Sequence, residues 1–311
     1  MKLLFVGDMH LRSATPSRRK DDFASSQFSK VSQIFDIANK NDAVIIQTGD
    51  IFDTESSDIK TMARYLPMFL SYGRGVYSAI GNHDVYGASL DTVPRTALGL
   101  FASVGAVSLL GHEPVVLDNS KISICGTSYM HAGDPKPSPE ADHNILVVHD
   151  MILENKIWKE QDNFTYAYDY AIQHSGWDVI LCGHYHYSFE HRQGKVLVIN
   201  PGAVVRIKAS KGDMALKPSV VLYDTNTRKS EWVMLEHALV EDVFHPAETT
   251  PVAAVNPALE EFVASLTPEV KNEIVQGSIV DVTLQVLREV GCRPAVADLI
   301  KHYLGKAEEL S

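Results

Sequence analysis

Cysteine is scarce in this chain, long apolar runs are missing, and positive charge is in the minority. Three cysteines, Cys125, Cys182 and Cys292, are scattered over 311 residues. An odd, dispersed set excludes a disulfide framework and fits a reducing compartment. No stretch approaches the ~18 consecutive apolar residues of a membrane span. The opening run Met1–Val6 meets Gly7-Asp8 before a signal-peptide core could form. These features predict a cytoplasmic protein with no membrane attachment. Lysine and arginine number 28 against 39 acidic residues, a net charge of −11. That excludes a protein that simply coats nucleic acid, because such binding is driven by basic surface.

What remains is an ordinary globular composition, 45% apolar, in a chain about twice the ~150-residue domain prior, which predicts one large domain and one small. Short apolar runs at Lys2–Val6, Ala43–Ile46, Val76–Ile80, Ile145–Val148 and Val179–Leu181 read as buried strands. Phe28, Val31, Phe35 and Ala38 recur at helical spacing over 25–40. Further helices are expected at Ile59–Leu70, where Pro67 should kink or shorten the helix, near Ser89–Ser103 and near Tyr166–His174. The alternation predicts an α/β fold with a largely parallel sheet. Lys195–Ile199, Ser219–Tyr223 and Glu231–Leu235 then read as successive strands without intervening helices, forming a second sheet or an antiparallel extension of the first. The texture changes after His237, so the expected division is a large domain at 1–237 and a small, mostly helical region at 238–311. In the latter, Val296, Leu299, Ile300 and Tyr303 share an amphipathic face.

Polar clusters recur directly after the expected strands. They are Gly7-Asp8-Met9-His10, Gly49-Asp50-Ile51-Phe52-Asp53, Gly81-Asn82-His83-Asp84, His149-Asp150 and Gly183-His184-Tyr185-His186. In parallel α/β sheets ligands bind beyond the carboxyl ends of strands, so the five clusters should meet at one site. Carboxylates, imidazoles and one amide, without thiolate, suit Mn²⁺, Fe²⁺ or Zn²⁺. There are too many ligands for one ion, and two bridged cations ~3.5–4 Å apart suit phosphoryl displacement. Asp-x-His arises by chance about once in a chain of this composition, whereas Gly-Asn-His-Asp is expected about 0.002 times. The ordered set is therefore no accident.

With these five blocks, residues 1 to 205 resemble the calcineurin-like metallophosphoesterases. The resemblance implies a four-layer α/β/β/α sandwich with a dimetal centre at the strand ends. Asp8, His10 and His186 would hold one metal. Asn82, His149 and His184 would hold the other, with Asp50 bridging. His83 would stand off the metals, as the acid that protonates the leaving oxygen or as a group that steadies the transition state, with Asp84 fixing its ring and Asp53 supporting the ligands. Two divalent ions, with Mn²⁺ as first choice, are the implied cofactors. Their four positive charges bear on the charge deficit. Residues 1–237 hold 23 basic and 27 acidic groups, and residues 238–311 hold 5 and 12, so a metal-loaded large domain comes close to neutral.

Finer features concern the substrate. Phe5-Val6-Gly7-Asp8-Met9-His10-Leu11-Arg12 together with Gly49–Asp53 is similar to the SbcD-type DNA nuclease subunit and to related exonuclease subunits of large bacteriophages. That resemblance implies a 3′-to-5′ exonuclease with some endonuclease activity, DNA as substrate and an SbcC-like SMC-family ATPase as partner. It also implies a role in DNA repair or recombination in a bacterial cell or phage-infected host, and it admits a homodimer. Relatives often carry histidine at the position matching Asp53, so no phosphate-contacting role passes to Asp53. The alternative is a phosphodiesterase or pyrophosphatase for small nucleotides, and a third reading is a scaffold with a degenerate metal site. Arg12, Arg18, Arg19 and Lys20 follow the first block and Arg206, Lys208, Lys211 and Lys217 the last, either as a phosphate track or as plain solvated loops. Cys182 reads as a small buried hydrophobe.

Overall fold

The short apolar runs fold as strands because they bury both faces, which only a sheet covered on both sides allows. The computed structural model describes residues 1–119, 121–129, 133–156 and 163–245. The first half comprises β1 (Lys2–Val6), α1 (Phe23–Asn41), β2 (Val44–Gln47), α2 (Ile59–Ser71), β3 (Val76–Ser78), α3 (Ala97–Ser103), β4 (Ser108–Leu109) and β5 (Val115–Leu117). It continues with β6 (Ile122–Thr127), β7 (His143–His149), β8 (Ile152–Leu153), β9 (Thr165–Tyr166), α4 (Ala167–Gln173) and β10 (Val179–Gly183). The last described elements are β11 (Phe189–Gln193), β12 (Val196–Asn200), α5 (Lys211–Ala215), β13 (Ser219–Asp224), β14 (Lys229–Met234) and α6 (Val240–Val243).

Two six-stranded sheets result, in the orders β14-β13-β1-β2-β3-β4 and β11-β12-β10-β7-β6-β5. Each has a parallel centre, and β13, β14, β11 and β5 pair antiparallel. Three apolar clusters separate four layers. Leu3, Phe5 and Ile46 meet Ile145, Val147 and Leu181 between the sheets. Val31, Ile34 and Phe35 of α1 and Phe69 of α2 cover the outer face of the first sheet. Ala167 and Ala171 of α4 cover Leu146, Val148 and Cys182 on the second. This is the expected α/β/β/α sandwich, and Cys182 is a buried core residue. No helix among the described residues is long and apolar enough to cross a membrane.

Capping explains the helix limits. Asp22 accepts from Ser25 N at the start of α1, Asp58 from Thr61 N at α2, and Thr96 from Gly99 N at α3. Three expectations need correction. Pro67 does not shorten α2, which runs on to Ser71. Pro67 and Ala63, whose carbonyl loses its donor, both lie on the exposed face, where water replaces the missing bond. The stretch 89–103 is not one helix, because a 3₁₀ segment at Leu90–Arg95 containing Pro94 precedes α3. The late strands are interrupted by α5, and β11 adds a strand whose alternating burial is hard to see amid Glu190, His191, Arg192 and Gln193.

Of the small C-terminal region expected at 238–311, only 238–245 are described; the amphipathic face of Val296 to Tyr303 lies outside the described residues. Residues 238–245 pack on the sandwich: Ala238 O accepts from Arg206, Val243 O from Lys20 N, and Arg18 O from His245 N.

Candidate dimetal centre

Register brings the polar blocks to one level. Val6 pairs with Gln47 and Gln47 with Ser78 in the first sheet, and Gly183 pairs with His149 in the second. The chain therefore leaves β1, β2, β3, β7 and β10 at neighbouring points of the inter-sheet rim. Three candidate ligands turn there with left-handed backbones: His10 at φ 45°, Asp50 at 56° and His184 at 77°. Such a conformation costs non-glycine residues on the order of 1–3 kcal/mol and gathers at functional sites. Gly81 and Gly183 permit close approaches within the site, since a Cβ on either would fall on Asp50 or on Asp8 and Thr48.

The structure brings all eight sequence-designated block residues, Asp8, His10, Asp50, Asn82, His83, His149, His184 and His186, into one cluster. Ligand atoms of Asp8, His10 and His186 lie within 4.8 Å of one another, as do those of Asp50, His149 and His184. His10 Nε2 and His186 Nε2 stand 3.0 Å apart, and Asp8 Oδ2 is 3.5 Å from the latter. In the other group Asn82 Oδ1 is 2.8 Å from His184 Nδ1 and 3.1 Å from His149 Nε2. Asp50 Oδ2 is 3.3 Å from His149 Nε2 and 3.9 Å from His10 Nε2, so one oxygen faces both groups. His83 also groups with His10 and Asp50, and its ring meets that of His10 edge-on at 4.8 Å.

This donor set fits two cations. His149 Nδ1 lies 2.9 Å from Thr48 O; a carbonyl only accepts, so Nδ1 carries a proton and Nε2, which gives up its own proton on ligation, is the nitrogen left for a metal. His10 Nδ1 is buried without a hydrogen-bond partner, and its Nε2 faces another imidazole nitrogen, an arrangement that a shared cation relieves. Burial pushes the His10 imidazole down to about 3. Burial and the charge of His149 hold His184 near 4. Both are neutral at working pH, as ligation requires. Burial also acts to lower His149, but the carboxylates of Asp50 and Asp8 prevail and raise it to about 10. Asp50, despite the opposing effect of burial, is held below the usual carboxylate range by His149 and His10. Burial raises Asp8.

The supporting contacts revise two expectations. Asp84 does not hold the ring of His83. Its Oδ2 accepts from the backbone N–H groups of Asp50 and Gly81, both at 2.9 Å, bracing two blocks together, and burial with the Asp50 charge raises it to about 7. The His83 ring is held instead by the main-chain carbonyl of Asp53, 2.7 Å from Nδ1. Asp53 has a double role, for its carboxylate pairs with Arg12 at 2.9 Å and lies 3.8 Å from His10 Nδ1. Arg19 and Arg206, read as parts of either a phosphate track or plain solvated loops, are both 6% exposed. Arg19 bonds Asp21 and the carbonyl of Arg206, while Arg206 bonds the carbonyls of Leu216 and Ala238. They tie loops together and face no substrate.

Sequence reasoning missed Gln27, whose amide donates to the carbonyls of Met9 and His10 and whose oxygen accepts from Arg12 N. A polar residue one turn before Val31, on the buried stripe of α1, was the available signal. It also missed the cleft of about 470 Å³ that leads away from Asp50, His83, His184 and His186 past Tyr185, Tyr187 and Lys208.

A sequence search of curated proteins gave no significant match. Among solved structures, an archaeal phosphodiesterase aligns at 16% identity over 76% of this chain and 100% of its own, with a TM-score of 0.41. A putative 5′-nucleotidase from Staphylococcus aureus aligns at 15% identity over 84% of this chain and 58% of its own, with a TM-score of 0.43. Zinc-bound Vps29 from Entamoeba histolytica aligns at 15% identity over 76% and 100%, with a TM-score of 0.37. The family model of the calcineurin-like phosphoesterases matches residues 1–188, the part of the chain that carries all five blocks. The chain belongs to the calcineurin-like phosphoesterase family, metal-dependent hydrolases of phosphoesters built around a dimetal centre.

Proposed function

We propose that the protein is the nuclease subunit of an SbcD-type complex, hydrolysing DNA phosphodiesters with two Mn²⁺ ions and working with an SbcC-like ATPase. Asp8, His10 and His186 would hold one cation and Asn82, His149 and His184 the other, with Asp50 between them. The bound cations would supply Lewis acidity toward the phosphate and the attacking water. The chain supplies the proton. Because Nδ1 of His83 donates to the Asp53 carbonyl, a second proton on Nε2 makes an imidazolium, and its transfer to the leaving oxygen restores the neutral ring. The observation that carries the nuclease reading is the cleft beside the cluster, with the lysine side chain of Lys208 on its wall. Its modest volume favours the second reading, a phosphodiesterase or pyrophosphatase for small nucleotides.

Protein loaded with Mn²⁺ should shorten labelled linear DNA, with activity falling steeply as salt rises. Rapid turnover of cyclic nucleotides with DNA left intact would establish the second reading. His83→Asn should lose about 10²–10⁴-fold in turnover while calorimetry still counts two bound ions. Loss of an ion would make His83 a ligand.

A further inference from the structure

The cleft beside the cluster has walls of different character. Tyr185 and Tyr187 occupy alternate positions in and after the Gly-His-x-His block and meet edge-on, with ring centroids 5.2 Å apart. Tyr185 also packs against the outer core cluster of the second sheet and lies 6.4 Å from the ring of Phe189. Its main-chain carbonyl is held by Asn200. The ring is therefore a fixed, half-buried platform. The facing loop, 207–213, is shaped by Asp213, whose carboxylate accepts from the N–H groups of Ile207 and Lys208 and from the hydroxyls of Ser210 and Tyr187. Asp213 is thus saturated by the loop. Lys208 is exposed on the same wall.

A rigid aromatic surface next to an exposed lysine is how single-stranded nucleic acid is held without sequence preference: rings stack on bases and lysines meet phosphates. The volume of about 470 Å³ lies in the range of pockets that take one small molecule, enough for a nucleoside and too little for a stacked base pair. We propose that Tyr185 and Tyr187 form a base-stacking subsite for the unpaired nucleoside next to the scissile phosphate, with Lys208 holding the following phosphate. This rests on the phosphodiesterase reading of the site and narrows its substrate to nucleotide esters with an unpaired base at the cut. Duplex ends then react only once frayed.

The test compares thymidine 5′-(p-nitrophenyl phosphate) with bis(p-nitrophenyl) phosphate, which lacks a base, on the Mn²⁺-loaded full chain. The wild type should prefer the nucleoside ester. Tyr185→Ala should lower that preference about tenfold through KM, and Tyr185→Phe, which keeps the ring, should restore it. Anisotropy of a labelled oligothymidylate supplies a reading independent of turnover. Lys208→Gln should reduce the slope of log affinity against log salt by about 0.7, one single-strand phosphate contact. A wild type with no preference for the nucleoside ester, or Tyr185→Ala and Lys208→Gln variants with wild-type preference and slope, would overturn the subsite. A wild type that prefers the nucleoside ester but leaves DNA intact would keep the subsite and overturn the nuclease reading alone.

Discussion

The two proposed cation pockets share Asp50 yet differ in how far the protein builds them in advance. Around Asn82, His149 and His184 the donors are braced: the His149 ring is oriented by the Thr48 carbonyl, and Asn82 faces both imidazoles. Around Asp8, His10 and His186 the arrangement is looser. His186 is 32% exposed, and His10 has a buried nitrogen without a partner. The first loop, which leaves this second group, also covers a poorly balanced interior where Arg19, Lys30 and Arg206 gather around Asp21. The difference teaches that one sheet rim can offer a preorganised site and an adaptable one. The braced pocket should hold its ion through turnover, and the looser one should exchange.

The shared carboxylate sets the upper bound of the comparison. Asp50→Asn should cost at least about 10³-fold in turnover, because it removes the charge facing both pockets, and metal analysis should find both ions weakened. One ion left at wild-type affinity would show that the pockets do not share Asp50. Next in size is the contrast between single losses. His149→Ala should abolish binding of the tighter ion, whereas His186→Ala should leave that ion in place and weaken only the second by about 10–100-fold, as read in a two-step calorimetric titration. Equal losses in the two variants would erase the distinction between braced and looser pockets.

The smallest effect concerns the interior below the looser pocket. Burial, with Arg19 nearby, pushes Lys30 from its ordinary 10.5 to about 8. Between those values the unfolded chain holds more protons than the folded one, so this group makes stability rise with pH across that window, and below about pH 8 its cost is constant. Lys30→Met should therefore stabilise the protein by about 1–3 kcal/mol at pH 7. The gain should shrink toward pH 10 in urea denaturation. A gain that does not change with pH would point to packing instead.

Side-chain chemistry was legible in the sequence wherever the side chain itself does the work. The block residues announced their types and their places after strands, and the two-sheet fold places them together. Contacts made through the main chain left no mark on residue identity. The Asp53 carbonyl that holds His83, and the N–H groups of Asp50 and Gly81 that occupy Asp84, could not be read from letters, so Asp84 was assigned to the wrong neighbour. Burial misled in the same way at Arg19 and Arg206, because a guanidinium can cap interior carbonyls as readily as it meets phosphate. Pro67 went astray because its effect depends on which side of the helix faces water. Tyr185 and Tyr187 escaped notice since the histidine pattern treats their positions as arbitrary.

The left-handed turns at His10, Asp50 and His184 have a consequence for engineering. Each is a position where glycine suits the backbone better than the residue present. A chain selected only for resistance to heat would drift toward glycine there and lose its chemistry. In His184→Gly the melting temperature of the metal-free protein should rise or hold while turnover disappears. Durability and catalysis are opposed at these three residues, and stabilising substitutions should be sought away from the rim.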